Sequence, residues 1–253
     1  MRCGSFDNIR SLWPFAAAAR GAFCVFEHIY FARPDSNLAG HNVYLFRKEL
    51  GRILAREHPV AADMVVPVLD SGNAAALGYA EESGIPYEAA LVRNQYVKRT
   101  FIEPSQSVRD FRVKIKHNAS RGLFEGKRVV LVEDSIVRGT TLLKLVGVIR
   151  AAGANEVHVR VSSPPNTGPC HYGIDTPTRE ELIAHEHSTE EIRNILGCDS
   201  LGYLSLPGLH GVAQQLKHGI CDACFSDDYP IPAGQRDAIP QLSLFRPIDP
   251  DDE

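Results

Sequence analysis

The segment VVLVEDSIVRGTT, Val129 to Thr141, constrains this chain more than any other. Its four consecutive apolar residues, Val129 to Val132, have the pattern of a strand buried on both faces, as in a parallel sheet. Two acids, Glu133 and Asp134, follow at the strand's carboxyl end. A short turn, Ser135 to Gly139, then leads into a helix expected from about Thr141 to Ala152 and stopped by Gly153. Backbone amides of a loop entering a helix converge on an anion, Gly139 lets the chain approach it closely, and Thr140 and Thr141 add hydroxyl donors. Taken alone, the string reads equally as an acidic turn with Asp134 capping a helix. Set between an apolar strand and a helix, it favours an anion site.

The surrounding pattern is α/β. Val43, Phe46, Leu50, Ile53 and Leu54 fall on one face of a helix expected over Val43 to Arg56, ended by Pro59. Met64 to Leu69 and Tyr87 to Val92 are expected strands on either side of a helix from Asn73 to Ser83 closed by Gly84, which makes a βαβ unit. Val157 to Ser162 is a further strand. Such alternation predicts a parallel sheet flanked by helices, with ligands beyond the carboxyl ends of the strands. Asp70 and the Glu133-Asp134 pair stand at those ends, so three acids are expected on one rim. Leu69-Asp70-Ser71-Gly72-Asn73 offers a second small turn into a helix N-terminus, where the dipole favours anions; alone, it reads as an Asx turn. Capping boxes at Thr178-x-x-Glu181 and Ser188-x-x-Glu191 announce two more helices, the second ending at Gly197. From Tyr229 the chain is rich in Pro and Asp and is expected to be a loosely ordered tail.

Composition excludes some partners. With 253 residues and a net charge of -4, there is no global positive field for nucleic acid or an anionic membrane. The apolar run Leu12 to Ala19 is interrupted by Pro14 and preceded by Asp7, so it does not suit a signal peptide. A cytoplasmic protein is expected, which makes the sequon at Asn118 a chance match. Six cysteines in such a chain suggest metal ligands or core thiols rather than disulfides. Cys221-x-x-Cys224 is a natural chelating pair, and zinc, redox and iron-sulfur roles are all open to it. Cys3 and Cys198 read as incidental thiols.

The Val129 to Thr141 segment resembles the phosphoribosyl-pyrophosphate signature of type I phosphoribosyltransferases. RNQYVKRTFIEPSQSVRDFR (Arg93 to Arg112), EHIYFARPDSN (Glu27 to Asn37) and YGIDTPTREELIAH (Tyr172 to His185) narrow the likeness to amidophosphoribosyltransferases, over roughly Arg10 to Asp228. The resemblance implies a type I phosphoribosyltransferase fold with a helical C-terminal extension. It further implies transfer of ammonia to C1 of 5-phosphoribosyl-1-pyrophosphate, giving 5-phosphoribosylamine and pyrophosphate at the start of purine synthesis. Glu133, Asp134, Arg93, Tyr96 and Arg99 would act at the reacting centre. Asp70, Ser71, Gly72, Ser135, Arg138, Gly139, Thr140 and Thr141 would bind substrate, and Ser71, Glu133 and Asp134 would hold magnesium. In the cluster-bearing branch of the family, Cys24, Cys170, Cys221 and Cys224 correspond to the ligands of a 4Fe-4S cluster.

Three departures stand out. Glu133 replaces the first of two aspartates, Leu69 stands where proline is common, and Lys98 stands where glycine is general. Residues 24-228 are expected to form the phosphoribosyltransferase domain with its cluster-binding extension, 1-23 a remnant leading from a missing glutaminase domain, and 229-253 the tail. Expected partners are phosphoribosyl pyrophosphate, ammonia, a separate glutaminase domain and further copies of the chain. Two other functions remain in play: a non-catalytic regulator binding phosphoribosyl pyrophosphate or purine nucleotides, and a transferase with a nucleobase acceptor.

Overall fold

The computed structural model describes residues 21-93, 117-174, 176 and 178-231. Its centre is a parallel sheet of four strands in chain order: β1 (Met64–Pro67), β2 (Arg128–Glu133), β3 (Glu156–Val161) and β4 (Ser200–Tyr203). Val65 pairs with Val130 and Val130 with His158, so β2 lies at the middle. Val129 to Val132 are fully buried, as a strand covered on both faces must be. Burial of each such side chain contributes on the order of 1.5–3 kcal/mol.

Helices α1 (Val43–Glu57), α2 (Asn73–Ser83), α3 (Thr140–Ala151), α4 (Thr189–Leu196) and α5 (Leu206–Ala213) cover the sheet. On one face Phe46, Leu50 and Leu54 of α1 pack with Ala75, Ala76 and Tyr79 of α2 and Leu209 and Val212 of α5 against Val65, Val130 and Val132. On the other, Leu142, Leu145, Val146 and Ile149 of α3 and Ile192 and Leu196 of α4 meet Val66, Val129, Leu131 and Val159. The sequence explains the starts and stops. The Asn42 side chain accepts from the Leu45 amide at 3.1 Å to begin α1. Gly84 (φ 71°) and Gly197 (φ 67°) close α2 and α4 in the left-handed region that favours glycine. Both capping boxes form, although the first opens only a 3-10 turn, Arg179–Glu181, followed by the short helix Ile183–Glu186.

Helix α2 is made of small residues because α1 crosses it very closely. A Cβ at Gly51 would stand 1.9 Å from the Ala75 carbonyl oxygen, and one at Gly78 1.9 Å from that of Lys48.

Two expectations change. The strand expected over Tyr87 to Val92 is split: Tyr87 bridges Val65 in parallel at the sheet edge, whereas Leu91–Arg93 turns away to pair antiparallel with His117–Ala119. The segment supplies apolar residues to both places, so its run of hydrophobicity concealed the break. β4 and α5 had no clear sequence signal. β4 contains Gly202, whose Cα lies so close to His58 that a Cβ would meet its ring at 2.6 Å, and α5 opens on Pro207-Gly208, which ordinarily marks a turn. Of the tail, Tyr229 is anchored by its hydroxyl donating to the Pro169 carbonyl at 2.7 Å, and 232-253 lie outside the described residues. Among the described residues no helix is long and apolar enough to cross a membrane.

Candidate functional site

Beyond the carboxyl ends of β1 and β2 lies a cleft of about 460 Å³ whose walls include Ser71, Glu133, Asp134 and the whole turn from Ser135 to Thr141. Parallel strands deliver Ser71 and the acid pair to the same end of the sheet, and the turn between β2 and α3 closes over it. Gly139 enters α3 with φ 73°, a conformation that a Cβ would strain and that would also press on Ile183 at 3.0 Å. The N-terminal amides of α3 therefore open toward the cleft beside the exposed hydroxyl-bearing Thr140 and Thr141.

The acid pair is buried, with Glu133 7% and Asp134 4% exposed. Burial first, and the neighbouring Asp134 charge second, hold the Glu133 carboxyl well above the usual carboxylate range. Glu133 Oε1 accepts from the Asp134 amide at 3.1 Å, and Ser135 Oγ donates to Asp134 Oδ1 at 2.5 Å. No cation bonds either acid among the described residues. Two hard carboxylates and a nearby hydroxyl, held away from bulk water, form a donor set suited to a divalent cation with oxygen preference. No group of three or more His, Cys, Asp or Glu side chains is arranged to hold a single metal ion among the described residues.

The other expected residues are placed differently. Asp70 is exposed and stands outside the lining of the cleft, so the rim gathers two acids rather than three. Gly72 is buried beneath it, where a Cβ would stand 2.5 Å from the Val132 carbonyl oxygen; its smallness lets the Ser71 turn lie against β2. Arg138 reaches Glu181 at 3.0 Å, a half-exposed pair of little energetic weight. Arg93 ends the strand Leu91–Arg93, while its side chain, and all of Tyr96, Lys98 and Arg99, lie outside the described residues, as does Cys3. Phe26, Tyr30, Phe31, Asn166, Ile174 and Thr176 also line the cleft. No local pattern marks Asn166 or Phe26; Tyr30 and Phe31 lie in EHIYFARPDSN, where the resemblance singled out the stretch and no residue within it.

A second cavity, about 1000 Å³, gathers Cys24, Cys170, Cys221 and Cys224. The short strands Phe23–Cys24 and Ile220–Cys221 pair in parallel with Cys24 opposite Cys221. Burial first, then the charges of Cys24, Cys221 and Cys170, push the Cys224 thiol up, and burial likewise raises Cys24. At Cys170 the amides of Gly173, Tyr172 and Ile174 together outweigh burial and lower it. All four are free thiols, and Cys198 sits apart in the core. Phe26, Asn166, Ile174 and Thr176 line both cavities, so one wall separates them. Asn166 donates from that wall to the Cys224 carbonyl at 3.1 Å, and Thr176 Oγ1 accepts from the Cys170 amide at 2.6 Å.

No protein-family model matches the chain. Curated relatives do. The chain is 52% identical over 232 residues to an amidophosphoribosyltransferase of Bacillus subtilis and 54% identical over 218 residues to one of Archaeoglobus fulgidus. These alignments span 90% and 85% of this chain and 49% and 48% of the relatives. The chain thus spans about half the length of the relatives it matches. Among solved structures it is similar to the B. subtilis glutamine phosphoribosylpyrophosphate amidotransferase complexed with ADP and GMP, at 54% identity and a TM-score of 0.76, over 83% of this chain and 47% of that one. A structure described as the allosteric regulatory enzyme of purine biosynthesis matches equally well, at 54% identity and a TM-score of 0.76, over 83% of this chain and 46% of that one.

Proposed function

Because it is 52% and 54% identical to these relatives over 90% and 85% of its length, the chain belongs to the amidophosphoribosyltransferases over the half of them that it matches, and we propose that it performs their phosphoribosyl transfer. The substrate would be 5-phosphoribosyl-1-pyrophosphate. The lone pair of ammonia forms the N–C1 bond while the C1–O bond to pyrophosphate breaks, pyrophosphate leaves with the bonding pair, and the new ammonium group loses a proton to water.

The observation that carries this reading is the convergence of Ser71, the buried Glu133-Asp134 pair and the Ser135 to Thr141 turn on one cleft at the carboxyl edge of the sheet. The α3 amides with Thr140 and Thr141 would hold the 5-phosphate, an anion at a helix N-terminus. Glu133 and Asp134 would accept from the ribose hydroxyls and steady the electron-poor ring as the leaving group departs. Ser71, Glu133 and Asp134 would hold magnesium, which when bound supplies charge neutralisation to the pyrophosphate. Arg138, and on the family resemblance Arg93, Tyr96 and Arg99, would add donors for the departing group.

The four convergent cysteines support a 4Fe-4S cluster. A zinc ion with bonds of about 2.3 Å would draw four sulfurs to within about 4 Å of one another. All four border one cavity of about 1000 Å³, which has room for a larger group, and Tyr172 N donates to Cys170 Sγ at 3.4 Å. A cytoplasmic location goes with this reading, since thiolate ligands persist where the milieu is reducing.

Pyrophosphate release from phosphoribosyl pyrophosphate with ammonium and magnesium tests the activity. Turnover is expected, with Asp134→Asn lowering it by roughly a hundredfold or more. Binding without turnover would instead identify a regulator, and turnover with adenine or hypoxanthine but not ammonium a nucleobase transferase.

A further inference from the structure

Helix α1 buries Phe46, Leu50 and Leu54, and among them Arg47, only 4% exposed. A buried guanidinium is expensive: it stays charged, and a Met of similar volume would fill the space without desolvation. Arg47 Nε donates to the His28 carbonyl at 2.7 Å and Nη2 to the Ala32 carbonyl at 2.8 Å. Among the described residues no carboxylate bonds it. Burial lowers its pKa, and the charge that opposes this is that of Asp134.

One acceptor lies within a short helical turn and the other, Ala32, caps its end. Glu27–Phe31 is wound as a π-turn closed by the Ala32 amide donating to the Glu27 carbonyl at 3.0 Å. Carbonyls at such an end have no partner within the turn, and the Arg47 fork supplies donors to two of them. Phe26, just before the turn, and Tyr30 and Phe31 within it line the cleft that holds the acid pair. Their rings pack together, Tyr30 on Phe31 with centroids 5.0 Å apart and Phe26 on Phe31 at 5.9 Å. One buried side chain therefore ties down the turn that carries the aromatic wall, and its charge is felt by Asp134.

We propose that Arg47 is a positioning residue for the transfer: through the 27–31 turn it holds the aromatic wall against the acid pair, and by that hold it aligns the sugar diphosphate and keeps water from C1. The proposal rests on the function proposed above, and one set of assays tests both. Arg47→Lys keeps the charge but cannot span two carbonyls with a fixed fork. It is expected to raise KM for phosphoribosyl pyrophosphate by about tenfold with kcat changed by less than about threefold, and to raise pyrophosphate release without ammonium several-fold. Phe31→Ala, on the half-exposed rim, should shift the same two quantities in the same direction. The double variant should be no worse than the more affected single one, because both act on one wall. Effects that multiply, an Arg47→Lys enzyme with wild-type KM and wild-type water reaction, or a Phe31→Ala enzyme without added water reaction each overturn the proposal; the last does so even if Arg47→Lys fails to fold. Wild-type protein without ammonium-dependent turnover defeats the function itself, an outcome distinct from all of these.

Discussion

Glu133 shows how far a single residue can be read before its neighbours are known. The sequence places an acid at the carboxyl end of a buried strand; the structure adds that it is dry and shares its surroundings with Asp134. A carboxyl whose folded pKa lies above its ordinary value of 4.5 contributes stability that is present below that value and lost as pH rises through the folded one. Metal-free protein is therefore expected to lose thermal stability as pH climbs above 4.5, and Glu133→Gln to flatten that decline. Magnesium at neutral pH should restore stability to the wild type far more than to Glu133→Gln. Melting curves across pH, with and without magnesium, decide it; identical profiles for the two proteins would show that Glu133 is not the group responsible. Asp70 was legible as an acid after a strand, but whether it faced the cleft depended on how the loop turned, which its own residue type does not set.

At the scale of elements, periodicity and caps located α1 to α4 and β1 to β3 within a residue or two, because those signals are local: an apolar face, an Asn or Ser start, a Gly stop. The crossing of α1 and α2 was not legible. Gly51 and Gly78 look like weak points in helices until the partner backbone is seen to occupy the space of their missing Cβ atoms. Gly51→Ala is expected to lower unfolding free energy by at least about 2 kcal/mol, since backbone must move. Gly147→Ala, on α3 with open space around it, should stay within about 1 kcal/mol and on the stabilising side. Urea unfolding of the two variants compares them directly, and an equal response would mean that the close crossing carries no weight.

For the whole molecule the cysteines matter most. The pairing of Phe23–Cys24 with Ile220–Cys221 ties the beginning of the described chain to a strand near its end, and a cluster there would close nearly all of it into one loop. Anaerobically purified protein should be brown with about four irons per chain, while Cys224→Ser should be colourless and melt roughly 5–10 °C lower. One tightly held zinc and no iron would remove the cluster from the account. The wall shared by the cysteine cavity and the cleft makes this more than a stability matter, because Asn166 and Thr176 each contact a cysteine's backbone from a position that also borders the acid pair.

From the sequence by itself came the parallel α/β framework, the Ser135 to Thr141 turn read as an anion site, and the Cys221-Cys224 pair, all written in short windows: an apolar run, a glycine, a capping hydroxyl, a CxxC; Cys24 and Cys170 joined that pair only through the family resemblance. Only the tertiary structure decided which of the acids share the cleft, that Tyr87 to Val92 divides between two partners, and that Arg47 reaches across to the 27–31 turn. These depend on contacts between residues far apart in the chain, and burial, field and hydrogen-bond reach are set by which segments meet rather than by the identity of any one of them.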